Sequence, residues 1–326
     1  MIRIALLDDY QGVALQSADW SSLPGGTAVE VFHDHLAEED LLADRLKEFD
    51  VVMALRERTS YPRSLLERLP NLKLLATAGM RNAAIDVEAA TDLGILVCGT
   101  SGSSRTTMEL TWGLVLGLTR HISEEHQATR AGAWQRTVGI GLEGKTLGLI
   151  GLGNIGGQMS EVGRAFRMRL IAWSQNLTEQ RASECGAELV SKDDLLSQAD
   201  IVTIHLRLSD RTRGLLGSRE LALMKSSAIL INTSRGPIVD EAALISSLSS
   251  GAIVGAGLDV FDREPLPDGH PLLGLDNVLL TPHLGYVTHE TYATFYGQTI
   301  ENIQGFLDGM PQRVLNPEVL DHLRQT

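Results

Sequence analysis

The chain has 326 residues, with 28 Lys and Arg against 41 Asp and Glu, a formal net charge of −13. At about 100–200 residues per domain this length suggests two domains, and 43% hydrophobic residues with a mean hydropathy of +0.01 exclude wholesale disorder. The acidic balance argues against nucleic acid or an anionic membrane as partner, because both select basic surfaces, but leaves an anionic small molecule open, since local Arg residues decide that.

Taken in chain order, Ile2–Leu7 is a strand candidate, too short an apolar run for a signal peptide and without a cleavage site. Further strands are expected at Ala28–Phe32, Val51–Leu55, Leu72–Ala76 and Ile95–Cys98, with helix-like segments at Glu38–Lys47 and Ser64–Leu69. Alternation of short apolar runs with helical patterns predicts a parallel α/β architecture. Every apolar stretch is strand-length, so no membrane span is expected. Cys98 and Cys185 offer neither a disulfide framework nor metal-ligand spacing. That points to the cytoplasm and to no metal, with both thiols read as small core residues.

From Ser101 the texture changes. Gly102-Ser103-Ser104 reads as a loop or hinge, and Thr106-Thr107-Met108-Glu109 has the spacing of a capping box. Leu110–Leu118 is apolar almost all round, which requires burial in a core or between subunits. A second strand series follows at Thr146–Ile150, Arg169–Trp173, Ile201–Leu206, Ala228–Ile231, Val254–Leu258 and Val278–Thr281, then a tail helix at Thr291–Leu307. Six parallel strands in one unit suggest a doubly wound nucleotide-binding sheet.

Gly151-Leu152-Gly153-Asn154-Ile155-Gly156 follows the first strand of that series and opens a helix with Ile155, Met159, Val162 and Phe166 on one face. Gly151 allows the tight turn, Gly153 the approach of a pyrophosphate, and Gly156 close packing of helix on strand. The helix N-terminus supplies free N–H groups for the phosphates. A glycine-rich turn with no ligand is the plainer alternative, but strand and amphipathic helix supply the context a dinucleotide site needs. An NAD enzyme places Asp or Glu about 20 residues on, to bind the ribose. Here the chain reads Ala172-Trp173-Ser174-Gln175-Asn176. With no carboxylate to repel a 2′-phosphate, Ser174, Gln175 and Asn176 lean towards NADP or dual use of NADP and NAD, with Arg207 and Arg181 as nearby cations.

Three more segments end strands of the second series and carry Arg235, Glu264 and His283. Singly, these read as a surface ion pair, a solvated carboxylate and a buried histidine. Together they suit reduction of a 2-keto acid: a two-pronged cation for the carboxylate and carbonyl oxygen, a proton donor near neutrality, and a carboxylate to stabilise the imidazolium.

With Leu142-Glu143-Gly144-Lys145-Thr146-Leu147-Gly148 and Met224-Lys225 added to these motifs, the whole chain resembles the D-isomer-specific 2-hydroxyacid dehydrogenase family. The resemblance implies that Arg235 binds substrate, His283 is the acid/base and Glu264 its partner. It also implies that Asp259 holds the nicotinamide amide, while His205, Thr212 and Thr233 line the cofactor site. The implied fold is a flavodoxin-like substrate domain, residues 1–101 and 290–326, interrupted by a Rossmann domain, residues 102–289. It further implies a homodimer built on helices near Thr106–His121, and substrate carboxylate on backbone N–H groups of a loop corresponding to Thr77-Ala78-Gly79-Met80, with Ala78 and Gly79 the candidates. Departures fall around the substrate: Gly79-Met80-Arg81-Asn82 replaces a glycine-rich loop, Arg56 lies where the family's cleft opens, and Met80 and Tyr286 can narrow the pocket. A solvated surface role for Arg56 and Arg81 stays open beside a substrate role. Arg207 stands where the family usually has Pro, and is the single best candidate for a 2′-phosphate contact.

The activity expected is interconversion of a small 2-keto acid, such as glyoxylate or hydroxypyruvate, with a D-2-hydroxy acid. Two alternatives remain. One is 3-phosphoglycerate dehydrogenase activity, although the sequence ends soon after Asn316-Pro317, without room for the regulatory domain that many such enzymes carry and their short versions lack. The other is a dinucleotide-sensing, corepressor-like binding protein. A formate dehydrogenase is disfavoured, since that branch carries Gln where this chain has Glu264.

Overall fold

Runs of Val, Ile and Leu ending in polar or glycine-containing turns form two parallel sheets, and the computed structural model describes residues 1–320. The chain divides into two units: Met1–Ser103 with the segment from Thr288 onward, and Ser104–Val287.

In the first unit, β1 (Ile2–Leu6), β2 (Thr27–Val31), α1 (Glu39–Leu46), β3 (Val51–Ala54), α2 (Arg63–Leu66), β4 (Leu74–Thr77), α3 (Val87–Asp92) and β5 (Leu96–Gly99) alternate. The sheet order is β2-β1-β3-β4-β5, the flavodoxin-like order, with all pairs parallel. Every residue of β3, β4 and β5 is buried, as strands covered on both faces require, whereas edge strand β2 is half exposed.

The second unit holds α4 (Arg105–Thr119), α5 (Ile122–Arg130), β6 (Thr146–Ile150), α6 (Asn154–Ala165), β7 (Arg169–Trp173), α7 (Glu179–Glu184), β8 (Glu188–Leu189), α8 (Lys192–Gln198), β9 (Ile201–Ile204), α9 (Ser218–Leu223), β10 (Ile229–Asn232), α10 (Glu241–Ser249), β11 (Gly255–Leu258) and β12 (Val278–Leu280). Their order is β12-β11-β10-β9-β6-β7-β8, doubly wound about β6 and β9. One core layer carries Val202, Ile204, Leu230, Leu195 and Leu244, and the other carries Leu147, Leu149, Trp112 and Met159. The chain then returns to the first unit as α11 (His289–Leu307), capped by the Thr288 hydroxyl accepting the Thr291 N–H.

Two expectations change. The sheet has a seventh strand, β8, whose two residues are too few to show a period. The capping box does not form: α4 starts at Arg105 with Ser104 as its cap, so Thr106 and Thr107 lie inside the first turn. Thr107 donates instead to the Gly285 carbonyl at 3.1 Å. Within Leu110–Leu118, Trp112, Leu114 and Val115 are buried, but Leu116 and Leu118 are only partly covered. Beside them runs a groove of about 610 Å³ lined by Leu116, Arg120, Ile122, Glu125, His126 and Thr129. No helix among the described residues is long and apolar enough to cross a membrane.

Each sheet is pinned at the same place by an aspartate. Asp50, just before β3, accepts the Arg3 N–H at 3.0 Å and Lys73 Nζ at 2.9 Å. Asp200, just before β9, accepts the Thr146 N–H at 2.8 Å and Lys225 Nζ at 2.8 Å. Both therefore lock the first strand of their unit to the strand that starts the second half of the winding. Burial pushes both carboxyls up, but these donors outweigh it and hold them below the ordinary aspartate range. A pKa lowered on folding stabilises above the unfolded value of about 3.9 and is lost as pH falls through the folded one. Asp200→Asn should therefore lower Tm by a few degrees at pH 7, and the gap from the natural chain should narrow as pH falls below about 4. Thermal melts that keep the same gap at pH 7 and pH 3.5 would contradict this.

Candidate functional site

The glycine loop is shaped by the chain's own packing at two of its three glycines. The Gly151 N–H donates to the Trp173 carbonyl at 2.8 Å, and the His205 N–H donates to Ile150 at 2.7 Å, so the loop is held between the ends of β7 and β9. Gly151 has φ +98°, and a Cβ there would lie 2.6 Å from the His205 carbonyl oxygen. A Cβ on Gly156 would lie 2.1 Å from the Gly151 carbonyl oxygen. A Cβ on Gly153 would meet nothing within 4 Å, so that side is open. Gly153 caps α6 without a side chain, leaving the first-turn N–H groups, including those of Asn154 and Ile155, without helical acceptors. His205 lines the same loop; its Nε2 lies 3.0 Å from Thr203 Oγ1, while its buried Nδ1 has no protein partner. Burial lowers its pKa to about 3, so the ring is neutral. An open approach to free amides and an orphaned ring nitrogen fit a dinucleotide.

Past β7, Ser174 closes a turn by accepting the Leu177 N–H at 3.1 Å, with Gln175 and Asn176 exposed. Arg207 is exposed at the start of a turn in which Thr212 Oγ1 donates to the Arg207 carbonyl at 2.7 Å. Arg181, on α7, reaches the glycine loop itself: its Nε donates to the Leu152 carbonyl at 3.1 Å.

Arg235, Glu264 and His283 lie beyond the C-terminal ends of β10, β11 and β12, which are neighbours in the sheet. Their loops touch: a Cβ on Gly236 would lie 2.1 Å from the Phe261 carbonyl carbon. His283 has φ +55°, and its Nδ1 is 2.6 Å from Glu264 Oε2. Glu264 Oε1 accepts the Phe261 N–H at 3.0 Å, which orients the carboxylate. Tyr286 sits edge-on to the His283 ring at 5.6 Å between centroids. Arg235 Nη1 donates to the Ser234 carbonyl at 2.6 Å, and the Asn232 side-chain amide donates to the Arg235 carbonyl at 3.0 Å. Thr233 is buried, with Oγ1 2.8 Å from the Thr111 hydroxyl.

Asp259 directly follows β11 and is almost wholly buried. Its carboxylate accepts the Thr281 hydroxyl at 2.7 Å and the N–H groups of Leu284 and Gly285 at 2.7 and 2.9 Å. These donors flank His283 on both sides, so Asp259 clamps the loop that carries the imidazole. Burial pushes its carboxyl above the ordinary range, and the three donors work against that push. This clamp, like the reach of Arg181, joins residues more than twenty positions apart and has no local sequence pattern.

In the first unit, Arg56 has φ +60°, and its Nη1 donates to the Ala78 carbonyl at 3.0 Å. The guanidinium covers Gly79, where a Cβ would lie 2.1 Å from Nη1. The expectation that the Ala78 and Gly79 amides stand free needs correcting: Ala78 donates to the Ala54 carbonyl at 3.0 Å and Gly79 to Thr100 Oγ1 at 2.8 Å. Both residues are buried, while Met80 and Arg81 are exposed. Among the described residues no cluster of His, Cys, Asp or Glu is arranged to hold a metal ion.

The second unit is of the Rossmann class, a dinucleotide-binding sheet with polar chemistry at its strand ends. Residues 112–285 match the family model described as D-isomer specific 2-hydroxyacid dehydrogenase, NAD binding domain. A glyoxylate reductase from Aeropyrum pernix is 43% identical over 267 residues, 78% of this chain and 80% of that protein. A D-3-phosphoglycerate dehydrogenase from Methanocaldococcus jannaschii is 40% identical over 86% of this chain but only 54% of its own length, so this chain spans about half of that relative. The crystal structure of a phosphoglycerate oxidoreductase from Vibrio cholerae o395 has a TM-score of 0.90 at 37% identity, covering 94% of this chain and 99% of that one. The chain belongs to the D-isomer specific 2-hydroxyacid dehydrogenase family, whose members are oxidoreductases that use a nicotinamide dinucleotide.

The glycines give a contrasting pair of variants. Gly153→Ala should leave the Tm within about 2 °C yet weaken dinucleotide binding roughly tenfold or more, because the new methyl enters the open side. Gly156→Ala should lower the Tm by several degrees, because its methyl overlaps a backbone oxygen. Dinucleotide titration of Gly153→Ala with an unchanged Kd would contradict this placement.

Proposed function

We propose that this protein reduces a small 2-keto acid, of the glyoxylate or hydroxypyruvate kind, to the D-2-hydroxy acid, and runs the reverse reaction when product is in excess. The observation that carries this reading is the His283 Nδ1 contact with Glu264 at 2.6 Å, one strand end away from the Arg235 loop. Gly151, Gly153, Asn154, Ile155 and Gly156 would hold the pyrophosphate of the dinucleotide, with His205, Thr212, Thr233 and Asp259 around it. The bound nicotinamide supplies the hydride that adds to the keto carbon. Because Glu264 occupies Nδ1, the proton for the carbonyl oxygen comes from Nε2 of His283. Glu264 stabilises the charged ring before transfer, and Phe261 keeps that carboxylate aimed. Arg235 binds the substrate carboxylate and draws electron density from the carbonyl. Arg56, Met80, Ala78 and Gly79 remain the first unit's candidates for substrate contact, with the Arg56 guanidinium on the Ala78 carbonyl at 3.0 Å.

For the cofactor, the neutral Ser174-Gln175-Asn176 turn supports NADP, or NADP and NAD together, with the exposed Arg207 available to a 2′-phosphate. Homodimerisation is supported by the partly covered Leu116 and Leu118, and by Trp134 and Val138, which are 77% and 92% exposed in the isolated chain. A second reading, oxidation of 3-phosphoglycerate, draws on the likeness to the Vibrio cholerae phosphoglycerate oxidoreductase and on Arg56 as a further cation for a phosphate.

Loss of reduced-nicotinamide absorbance with glyoxylate, hydroxypyruvate and 3-phosphohydroxypyruvate, each with NADPH and NADH, separates these readings. The lead reading expects the two unphosphorylated acids to be reduced with the higher kcat/KM, and NADPH to serve at least as well as NADH. Turnover confined to 3-phosphohydroxypyruvate would establish the second reading, and turnover confined to NADH would refute the cofactor preference.

A further inference from the structure

We propose that Arg181 is a positioning residue for the dinucleotide, its guanidinium holding two successive carbonyls of the glycine loop and so setting where that loop's amides point. The inference rests on the dinucleotide reading of the loop. Arg181 sits in α7, with its N–H accepted by Thr178 Oγ1 at 3.2 Å. Its Nε donates to the Leu152 carbonyl at 3.1 Å and its Nη2 to the Gly153 carbonyl at 3.4 Å, while Nη1 faces Glu184 at 3.6 Å. Nη2 also packs on Gly157, where a Cβ would lie 3.0 Å away, so a side chain there would displace the guanidinium.

In a trans peptide the C=O and the following N–H lie in one plane and point in opposite directions. Holding the Leu152 carbonyl therefore orients the Gly153 N–H, and holding the Gly153 carbonyl orients the Asn154 N–H. The Gly153 carbonyl is fixed from the other side as well, since it accepts the Gly157 N–H at 2.9 Å in the first bond of α6. Gly153 has no Cβ to restrict its backbone and nothing near it to restrain one. Without the guanidinium the loop must be ordered by the ligand, and that ordering subtracts from affinity. A planar fork spans two carbonyls, and the single ammonium of a lysine does not reproduce that span. Because Nε and Nη2 already face backbone oxygens, the effect belongs to the part of the cofactor that NADH and NADPH share. Arg207 is the residue through which the two cofactors should differ.

The test uses the full chain with Arg181→Ala and Arg181→Lys, titrating NADH and NADPH by fluorescence and following the Tm without cofactor. Arg181→Ala is expected to raise both Kd values about tenfold with their ratio unchanged, to keep kcat within about twofold at saturating cofactor, and to regain affinity in millimolar ethylguanidinium. Arg181→Lys should recover only part of the loss. Unchanged Kd values would overturn the proposal, as would a loss confined to NADPH, which would make Arg181 a direct 2′-phosphate contact. A lowered Tm with weakened binding that ethylguanidinium does not restore would also overturn it, as general misfolding. Failure of the natural chain to bind either cofactor would remove the dinucleotide reading itself.

Discussion

The carboxylate of Asp259 is the interaction on which the reactive end of the second unit depends. It collects a hydroxyl and two amides from residues 281–285, and so fixes the loop in which His283 takes a left-handed backbone conformation. A non-glycine residue in that region costs of order 1 kcal/mol or more and persists only where its surroundings overdetermine it. Here they do: Asp259 holds both flanks, Thr107 holds the Gly285 carbonyl, and Glu264 takes the imidazole. The family resemblance makes Asp259 a ligand of the nicotinamide amide. In the structure the same carboxylate anchors the imidazole loop, so on the proposed reading cofactor seating and acid/base geometry share one group.

The rest of the site follows from strand order. Parallel strands deliver their C-terminal ends to one edge, so three loops on the neighbours β10, β11 and β12 gather Arg235, Glu264 and His283 without any long excursion of the chain. Two glycines make this close approach possible: Gly236, against the Phe261 backbone, and Gly156, against Gly151. At the opposite edge Asp50 and Asp200 do the same work in the two units, tying first strand to neighbouring strand through one amide and one lysine each. The two sheets thus share a construction device that no repeat in the sequence displays.

Much of the fold was legible because its signals are local. The β6 run, the glycine spacing and the amphipathic α6 occupy some twenty consecutive residues, and in the structure Met159 is buried in a core layer against which Ile155, Val162 and Phe166 pack. What escaped was non-local or too short. The two residues of β8 carry no periodicity. Thr107 fits a capping pattern until its hydroxyl proves to bond Gly285, 178 positions away. The amides of Ala78 and Gly79 look available in a loop motif, yet Ala54 and Thr100, remote in sequence, already hold them. Arg181 reads from sequence as one of two cations near an adenosine-side turn, whereas its place on the glycine loop rests on a contact with Leu152 that no local pattern encodes.

On the proposed mechanism His283, held by Glu264 and by the Asp259 clamp, supplies the proton that accompanies hydride transfer. Single-turnover reduction of glyoxylate or hydroxypyruvate by the cofactor-loaded protein, natural chain against His283→Ala, measures that step apart from binding. The account predicts a hydride-transfer rate at least about 100-fold slower in the variant, with cofactor Kd within about twofold of the natural chain. An undiminished single-turnover rate would contradict it and move the acid/base role to another residue.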